Sequence, residues 1–475
     1  KLSISAQTMA SSPELAIANE FLSYVNGCHS EFHAVLQTRT MLEKAGFKLI
    51  SEKDDVDWSK IVKPGGKYYF TRNQSTIMAF AVGGAYKPGN GFVMAGAHTD
   101  SPVLKVKPIS KTSGSGFLQV GIEPYGGGLW NTWFDRNLTV AGRVIVQKDD
   151  GGFECKLVHV PRPILYIPNL AIHLNRDIYS KGFNYNKQTH LLPILASELL
   201  NGKPKADKDS KEPEGLTSEH HPKLIELLSK ELKVPAEKIK DFDLALCDTQ
   251  PACIHGAYSE FIAARGLDNL MMSFICTKSL IDSCEGKNLE SESQIRLVAL
   301  FDHEEIGSRS QQGAASCMMS SVLQRINADA TCYDAAIRKS FLISADMAHA
   351  IHPNYPSKHE ANHRPMIHKG LVLKKNGNQR YATNAVTTFI VEELARRYEI
   401  PIQKFVVRND MGCGSTIGPI ISANTGVRTI DVGVPQFAMH SIREMCGTKD
   451  VLSSYKLIKN YFLDFNKIDS LFKVD

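Results

Sequence analysis

The sequence predicts an α/β fold: a split domain with a mixed β-sheet flanked by helices, plus an inserted β-rich domain. Three observations predict it. Several short apolar runs end abruptly in polar loops, as buried strands do. A central stretch switches to short alternating segments broken by Gly and Pro. Beyond it the alternation of helix and strand resumes to the C-terminus. A chain of 475 residues has room for two or three domains. The expected division is 9–101 for the first part of the split domain, 102–247 for the insertion and 248–475 for the second part.

Residues 13–46 carry two helical patterns. Leu15, Ile17, Phe21, Leu22 and Val25 share one face, then Val35, Leu36 and Leu42 precede Gly46 as the stop. Residues 68–71 and 75–82 read as strands, and 91–97 as an apolar strand ending where His98 opens a polar loop. In the insertion, strands are expected at 117–123, 142–147 and 153–160, separated by Gly126, Gly127 and Gly128 and followed by Pro161, Pro163 and Pro168. Residues 202–215 mix charges with Pro and Gly without apolar period, and read as a mobile surface loop. Further strands are expected at 295–301, 341–344, 405–407 and 427–432, with an apolar helix over 269–284.

Composition excludes several classes. Hydrophobic residues at 43% can fill a large core, which rules out wholesale disorder. A net charge of +5 falls short of a dedicated nucleic-acid binder. No run of 18 apolar residues suggests a membrane span, and no signal-peptide pattern opens the chain. Residues 1–8 read as an unstructured leader before a start at Met9. Ten cysteines without CxxC pairs suit reduced thiols, hence a cytoplasmic location, and argue against zinc fingers.

Chemistry collects where the apolar strands end. His98 and Asp100 follow the strand at 91–97, Glu304 and Glu305 the strand at 295–301, Asp346 the strand at 341–344, and His440 lies in the loop after 427–432. In open α/β sheets the ligand crevice lies outside the carboxyl ends of the strands, so these distant residues can converge. Asp100 is a natural partner for the second ring nitrogen of a ligating His98. Adjacent Glu304 and Glu305 can divide into a metal ligand and a general base, or form only a solvated acidic turn. Asp346 ends an apolar segment where an ionised carboxylate needs a partner or a metal, though a helix N-cap is its rival reading.

The motifs Ala-Gly-Ala-His-Thr-Asp-Ser-Pro at 95–102, Leu-Asp-Asn-Leu at 267–270, Asp-His-Glu-Glu-Ile-Gly-Ser at 302–308, Ser-Ala-Asp-Met-Ala-His-Ala at 344–350, His-Arg-Pro at 363–365 and Met-His-Ser-Ile-Arg-Glu at 439–444 stand in order along the chain. Together they resemble the aspartyl aminopeptidases, the M18 family of dinuclear zinc peptidases, from about residue 13 to the C-terminus, and the eukaryotic type especially. The resemblance implies two Zn²⁺ per subunit, with His98 and Asp346 on one, Glu305 and His440 on the other, Asp268 bridging, and Glu304 as base. Mn²⁺ or Co²⁺ is also compatible with a carboxylate-rich pair. Asp135 competes for the bridging place; Asp268 is preferred because it falls where the second part of the split domain resumes and matches the family's Leu-Asp-Asn.

The resemblance also implies that His173 reaches a neighbouring subunit's site and helps stabilise an oxyanion; a core or interface histidine is the plain alternative. It gives Lys374, with Tyr381 nearby, to the acidic side chain of the substrate, where charge complementarity demands a cation. The Gly-rich residues 409–419 either approach the substrate or simply start a helix. His303 stands where many members have Asn, and its ring is expected near Glu304. The implied protein removes N-terminal Asp or Glu from peptides and assembles as a homo-oligomer, a tetrahedral dodecamer, with no nucleic acid or membrane partner. The rivals are a dinuclear carboxypeptidase or N-acyl amino acid deacylase, and an inactive metal-binding assembly protein.

Overall fold

The computed structural model describes residues 12–53, 57–200 and 215–474. The expected leader at 1–8, Met9, and all of the charged run except Gly215 lie outside these. The chain divides into two compact units: Lys1–Ser101, Ala252–Met439 and Glu444–Asp475 form the first, Pro102–Pro251 and His440–Arg443 the second.

The first unit is built on a nine-stranded mixed sheet. Its order is Lys48–Leu49, Lys67–Arg72, Thr76–Val82, Ile295–Phe301, Phe92–His98, Phe341–Ala345, Arg428–Gly433, Leu371–Lys374 and Ile402–Phe405. The three central strands, Ile295–Phe301, Phe92–His98 and Phe341–Ala345, run parallel. Their sequences are predominantly apolar, with Arg296, Ser344 and the terminal His98 as polar exceptions, because both faces are covered, as in buried parallel sheets. Side-chain alternation divides each strand between two cores. Val93, Ala95 and Ala97 pack into one core with the helices Pro13–Val25, Leu267–Ser283 and Thr448–Asp469. Phe92 and Met94 pack into the other with Met318–Asn327 and Ile417–Thr425.

Several boundaries differ from the sequence reading for physical reasons. The edge strand expected at 405–407 is Ile402–Phe405, because it pairs in parallel register with Leu371–Lys374, whose last partner is Phe405. The helix expected over 269–284 is Leu267–Ser283, and Asp268 and Asn269 inside it have non-helical backbone. The stop at Gly46 is a positive-φ glycine (φ 81°) just after Glu31–Lys44. A second, five-stranded sheet of two- to four-residue strands completes this unit.

Tyr461 of Thr448–Asp469 ties the core helix to the sheet. Its fully buried hydroxyl donates to Phe341 O at 2.7 Å and accepts from Met94 N at 3.1 Å, on neighbouring strands. Removing that oxygen leaves buried backbone groups short of a partner. Tyr461→Phe is therefore expected to destabilise the protein by about 1–3 kcal/mol, read as a lower midpoint in denaturant unfolding.

The second unit is a six-stranded antiparallel sheet in the order Phe153–His159, Leu138–Gln147, Ile239–Asp248, Val103–Gly114, Phe117–Tyr125, Ile194–Ser197. Its core gathers Leu104, Val120, Trp130, Trp133, Val140 and Leu246, against which Pro222–Leu232 sets Leu224, Ile225 and Leu228. The long strand Val103–Gly114 has no expected counterpart: Lys105, Lys107 and Lys111 break its apolar pattern, and a register shift between Val106 and Lys111 accommodates Pro108.

Candidate metal centre

Strand register brings the first donors together. Phe301 lies beside His98, and Ser344 beside Gly96, so the carboxyl ends of the three central strands deliver His98, residues 302–305 and Asp346 to one edge of the sheet. Asp268 reaches the same place from the start of its helix. Ser273 of that helix donates to His98 O at 2.7 Å, and Asn269 Nδ2 donates to Ala345 O at 2.8 Å. Asp268 is itself held by Ser101 Oγ on its carbonyl (2.7 Å) and by Glu444 Oε2, which accepts its N–H at 3.0 Å. Glu444 closes the Met-His-Ser-Ile-Arg-Glu motif at 439–444.

His98 is buried. Its Nε2 lies 3.3 Å from Asp268 Oδ1, 3.7 Å from Glu304 Oε2 and 3.8 Å from Asp346 Oδ1. Two overlapping donor sets result, His98 with Asp268 and Glu305, and His98 with Glu304 and Asp346, each with ligand atoms within 4.8 Å of one another. Asp346 is followed by the short strand Ala348–His349, not by a helix, which removes the N-cap reading. Glu304 and Glu305 sit in the 3₁₀ turn Glu304–Ile306, entered through His303 at φ 64°.

Asp100 organises two of these elements. His98 Nδ1 faces Asp100 O at 3.0 Å and Asp100 Oδ1 at 3.3 Å. A carbonyl oxygen only accepts, so Nδ1 carries the proton and Nε2 points at the carboxylates. The Asp100 carboxylate also accepts Glu304 N at 3.2 Å and Glu305 N at 3.1 Å, one oxygen each.

The electrostatics ask for a cation. Burial, with the charges of Asp346, Asp100 and Asp268, pushes the Glu304 carboxyl up to about 8 against the opposing pull of His98. Burial and Asp268 likewise hold Glu305 well above the ordinary range. Burial alone would lower His98, but Glu304 and the bonds to Asp100, Asp268 and Asp346 outweigh it and raise the imidazole. A divalent cation reverses this logic, because it favours the carboxylate forms and the neutral ring together. One imidazole with surrounding carboxylates is a donor set that zinc, manganese or cobalt accepts.

The remaining predicted residues lie as follows. His440 belongs to the second unit, where its Nδ1 faces Gly127 O at 3.0 Å, which puts a proton on Nδ1. Asp135, the rival bridge, is also in that unit, and its carboxylate accepts Asn169 N at 3.0 Å and Nδ2 at 2.7 Å. His173 is exposed in the short turn Ile172–Leu174, so it is not a core histidine. Lys374 is 2% exposed; its Nζ donates to Met347 O at 3.1 Å, stands 3.9 Å from Asp346 Oδ2 and lies 5.1 Å from the Tyr381 ring centre. Tyr381 is buried, and burial with neighbouring Cys413 raises its phenol. The ring of His303 meets Ser310 Oγ at 2.8 Å and Asp302 Oδ2 at 3.5 Å. Residues 409–419 run into a helix that begins at Ile417, within the stretch.

A mixed α/β sheet that gathers an imidazole and carboxylates at its strand ends has the make-up of a metal centre. The family described as Aminopeptidase I zinc metalloprotease (M18) matches residues 24–462. A probable aspartyl aminopeptidase of Ricinus communis is 49% identical over 97% of this chain and 98% of its own length. The aspartyl aminopeptidase of Dictyostelium discoideum is 49% identical over 95% of this chain and 97% of its own. Among solved structures, the cryo-EM structure of the Ape4 and Nbr1 complex matches with a TM-score of 0.94 and 42% identity, covering 100% of this chain and 90% of that one. The S. cerevisiae mApe1 dodecamer matches at 0.83 and 31%, covering 96% and 99%. The chain belongs to the M18 family of aminopeptidases, and it is a metallopeptidase that works from the N-terminus of its substrates.

Proposed function

We propose that this chain is an aspartyl aminopeptidase that releases N-terminal Asp or Glu from peptides, with two zinc ions per subunit. His98 and Asp346 would hold one ion, Glu305 and His440 the other, with Asp268 between them. The observation that carries the reading is the convergence of the His98 Nε2 edge on Asp268, Glu304 and Asp346 inside a buried site. When bound, the ions supply Lewis acidity that activates water and polarises the scissile carbonyl. Glu304 accepts the proton of the attacking water and returns it to the leaving amine. Asp100 holds the His98 ring and the Glu304–Glu305 turn in place. Lys374, beside Tyr381, receives the substrate's acidic side chain, and exposed His173 serves a neighbouring subunit's oxyanion site.

The reading includes a homo-oligomer, a dodecamer, as in the yeast relative named above. It places the enzyme in the cytoplasm, in keeping with ten cysteines of which none forms a disulfide among the described residues. No helix of those residues is long and apolar enough to cross a membrane.

The test is metal content per chain measured alongside hydrolysis of Asp-, Glu- and Leu-terminated amides and an N-acylated control. Two metals, chelator-sensitive turnover and preference for Asp or Glu are expected. Cleavage confined to the blocked substrate would instead indicate a deacylase, and metal binding without turnover an inactive assembly protein.

A further inference from the structure

Lys374 pairs across two antiparallel strands with Asp431, a residue buried at 0% exposure in the middle of Arg428–Gly433. A carboxylate in such a place needs several donors. Asp431 finds them just after Tyr381, whose ring lies near Lys374, and just before the helix Ile417–Thr425. Its Oδ2 accepts Ala382 N at 2.6 Å, immediately after Tyr381, and its Oδ1 accepts Thr416 Oγ1 at 2.5 Å, at the end of the Gly-rich stretch. Asp431 N donates to Thr383 Oγ1 at 2.9 Å, which fixes the same 381–383 segment a second time. At residue 418 a Cβ would stand 2.5 Å from both carboxylate oxygens, so only glycine lets the helix start approach so closely. Two more bonds tie the segments to each other: Arg380 Nε donates to Cys413 O and Ser415 Oγ to Arg380 O, each at 3.0 Å.

The charge arrangement gives this cluster a direction. The Lys374 ammonium is engaged by Met347 O and faces Asp346. The Asp431 oxygens are engaged by neutral donors. Asp431 thus supplies a counter-charge one strand away while its bonds are spent on holding the walls beside the lysine.

We propose that Asp431 is a positioning residue for substrate selectivity: it locks the segments at 381–383 and 416–418 around Lys374, so that an acidic side chain meets a preformed cationic pocket. This rests on the reading of Lys374 as the acid-recognising cation. Asn at 431 removes the negative charge and puts an amide N–H₂ where a carboxylate oxygen accepted: toward the Ala382 N–H that anchor is lost, and toward the Thr416 hydroxyl the bond has to reverse its direction.

The experiment compares kcat and KM for Asp-terminated and Leu-terminated amides in wild type, Asp431→Asn, Thr416→Val, Thr416→Ser and Lys374→Met, with metal content and thermal midpoint recorded for each. Asp431→Asn and Thr416→Val are expected to lower the ratio of kcat/KM for Asp over Leu on the order of tenfold, chiefly through KM for the acidic substrate. Thr416→Ser, which keeps the hydroxyl, is expected to retain the ratio. An unchanged ratio, or equal losses on both substrates that follow the thermal midpoint, would overturn the proposal. Should Asp431→Asn fail to fold, Thr416→Val against Thr416→Ser decides. Wild type without acid preference, or Lys374→Met that keeps it, would bring down the Lys374 reading and this inference together. Loss of preference in Lys374→Met but not in Asp431→Asn or Thr416→Val would bring down only the inference.

Discussion

Glu304→Gln is expected to keep the wild-type metal content and to lower kcat about 10²–10⁴-fold, with KM changed far less. The substitution preserves size and one acceptor oxygen, so the turn Glu304–Ile306 keeps its shape, and Asp100 still accepts the backbone N–H groups of residues 304 and 305. What it removes is the capacity to take up and return a proton. The measurement decides between two roles that geometry alone leaves close together, because Glu304 Oε2 lies 3.7 Å from His98 Nε2 and shares a donor set with Asp346. A ligand replaced by an amide loses metal; a base replaced by an amide loses turnover. Metal content measured together with kcat therefore separates them, and wild-type turnover would remove Glu304 from the chemistry.

The parts of this centre legible in the sequence are those that a strand end delivers. Phe92–His98, Ile295–Phe301 and Phe341–Ala345 are readable because burial on both faces makes them mostly apolar runs, so the polar residues that close or follow each stand out. His98, Glu304, Glu305 and Asp346 are found that way. Asp268 is not, since it sits on a helix start whose local pattern says only helix, and the resemblance to a family singled it out. Asp431 was invisible for a different reason. It lies inside a strand, and the role proposed for it depends on Lys374, Ala382 and Thr416, which only the antiparallel register and the loops beside it bring near. The five-stranded sheet escaped because strands of two to four residues carry too few side chains to show a period.

Asp100→Asn is expected to weaken metal binding by roughly 10–100-fold, the usual consequence of losing a hydrogen-bond partner behind a ligating histidine. Asp100 accepts from both Glu304 N and Glu305 N, with one carboxylate oxygen for each, and lies against His98 Nδ1. An asparagine offers one oxygen and one N–H₂, so one of the two backbone donors faces another donor, and the turn that carries both glutamates must shift. The His98 ring keeps the Asp100 carbonyl as an acceptor but loses the adjacent negative charge that strengthens it as a ligand through Nε2. Two readouts check this. Competition with a chromophoric chelator should show the weakened zinc affinity in the absence of any substrate. Excess zinc should then recover part of the lost kcat/KM, since the ligands themselves are intact. Wild-type zinc affinity in Asp100→Asn would mean that His98 and the glutamate turn hold their geometry without this carboxylate.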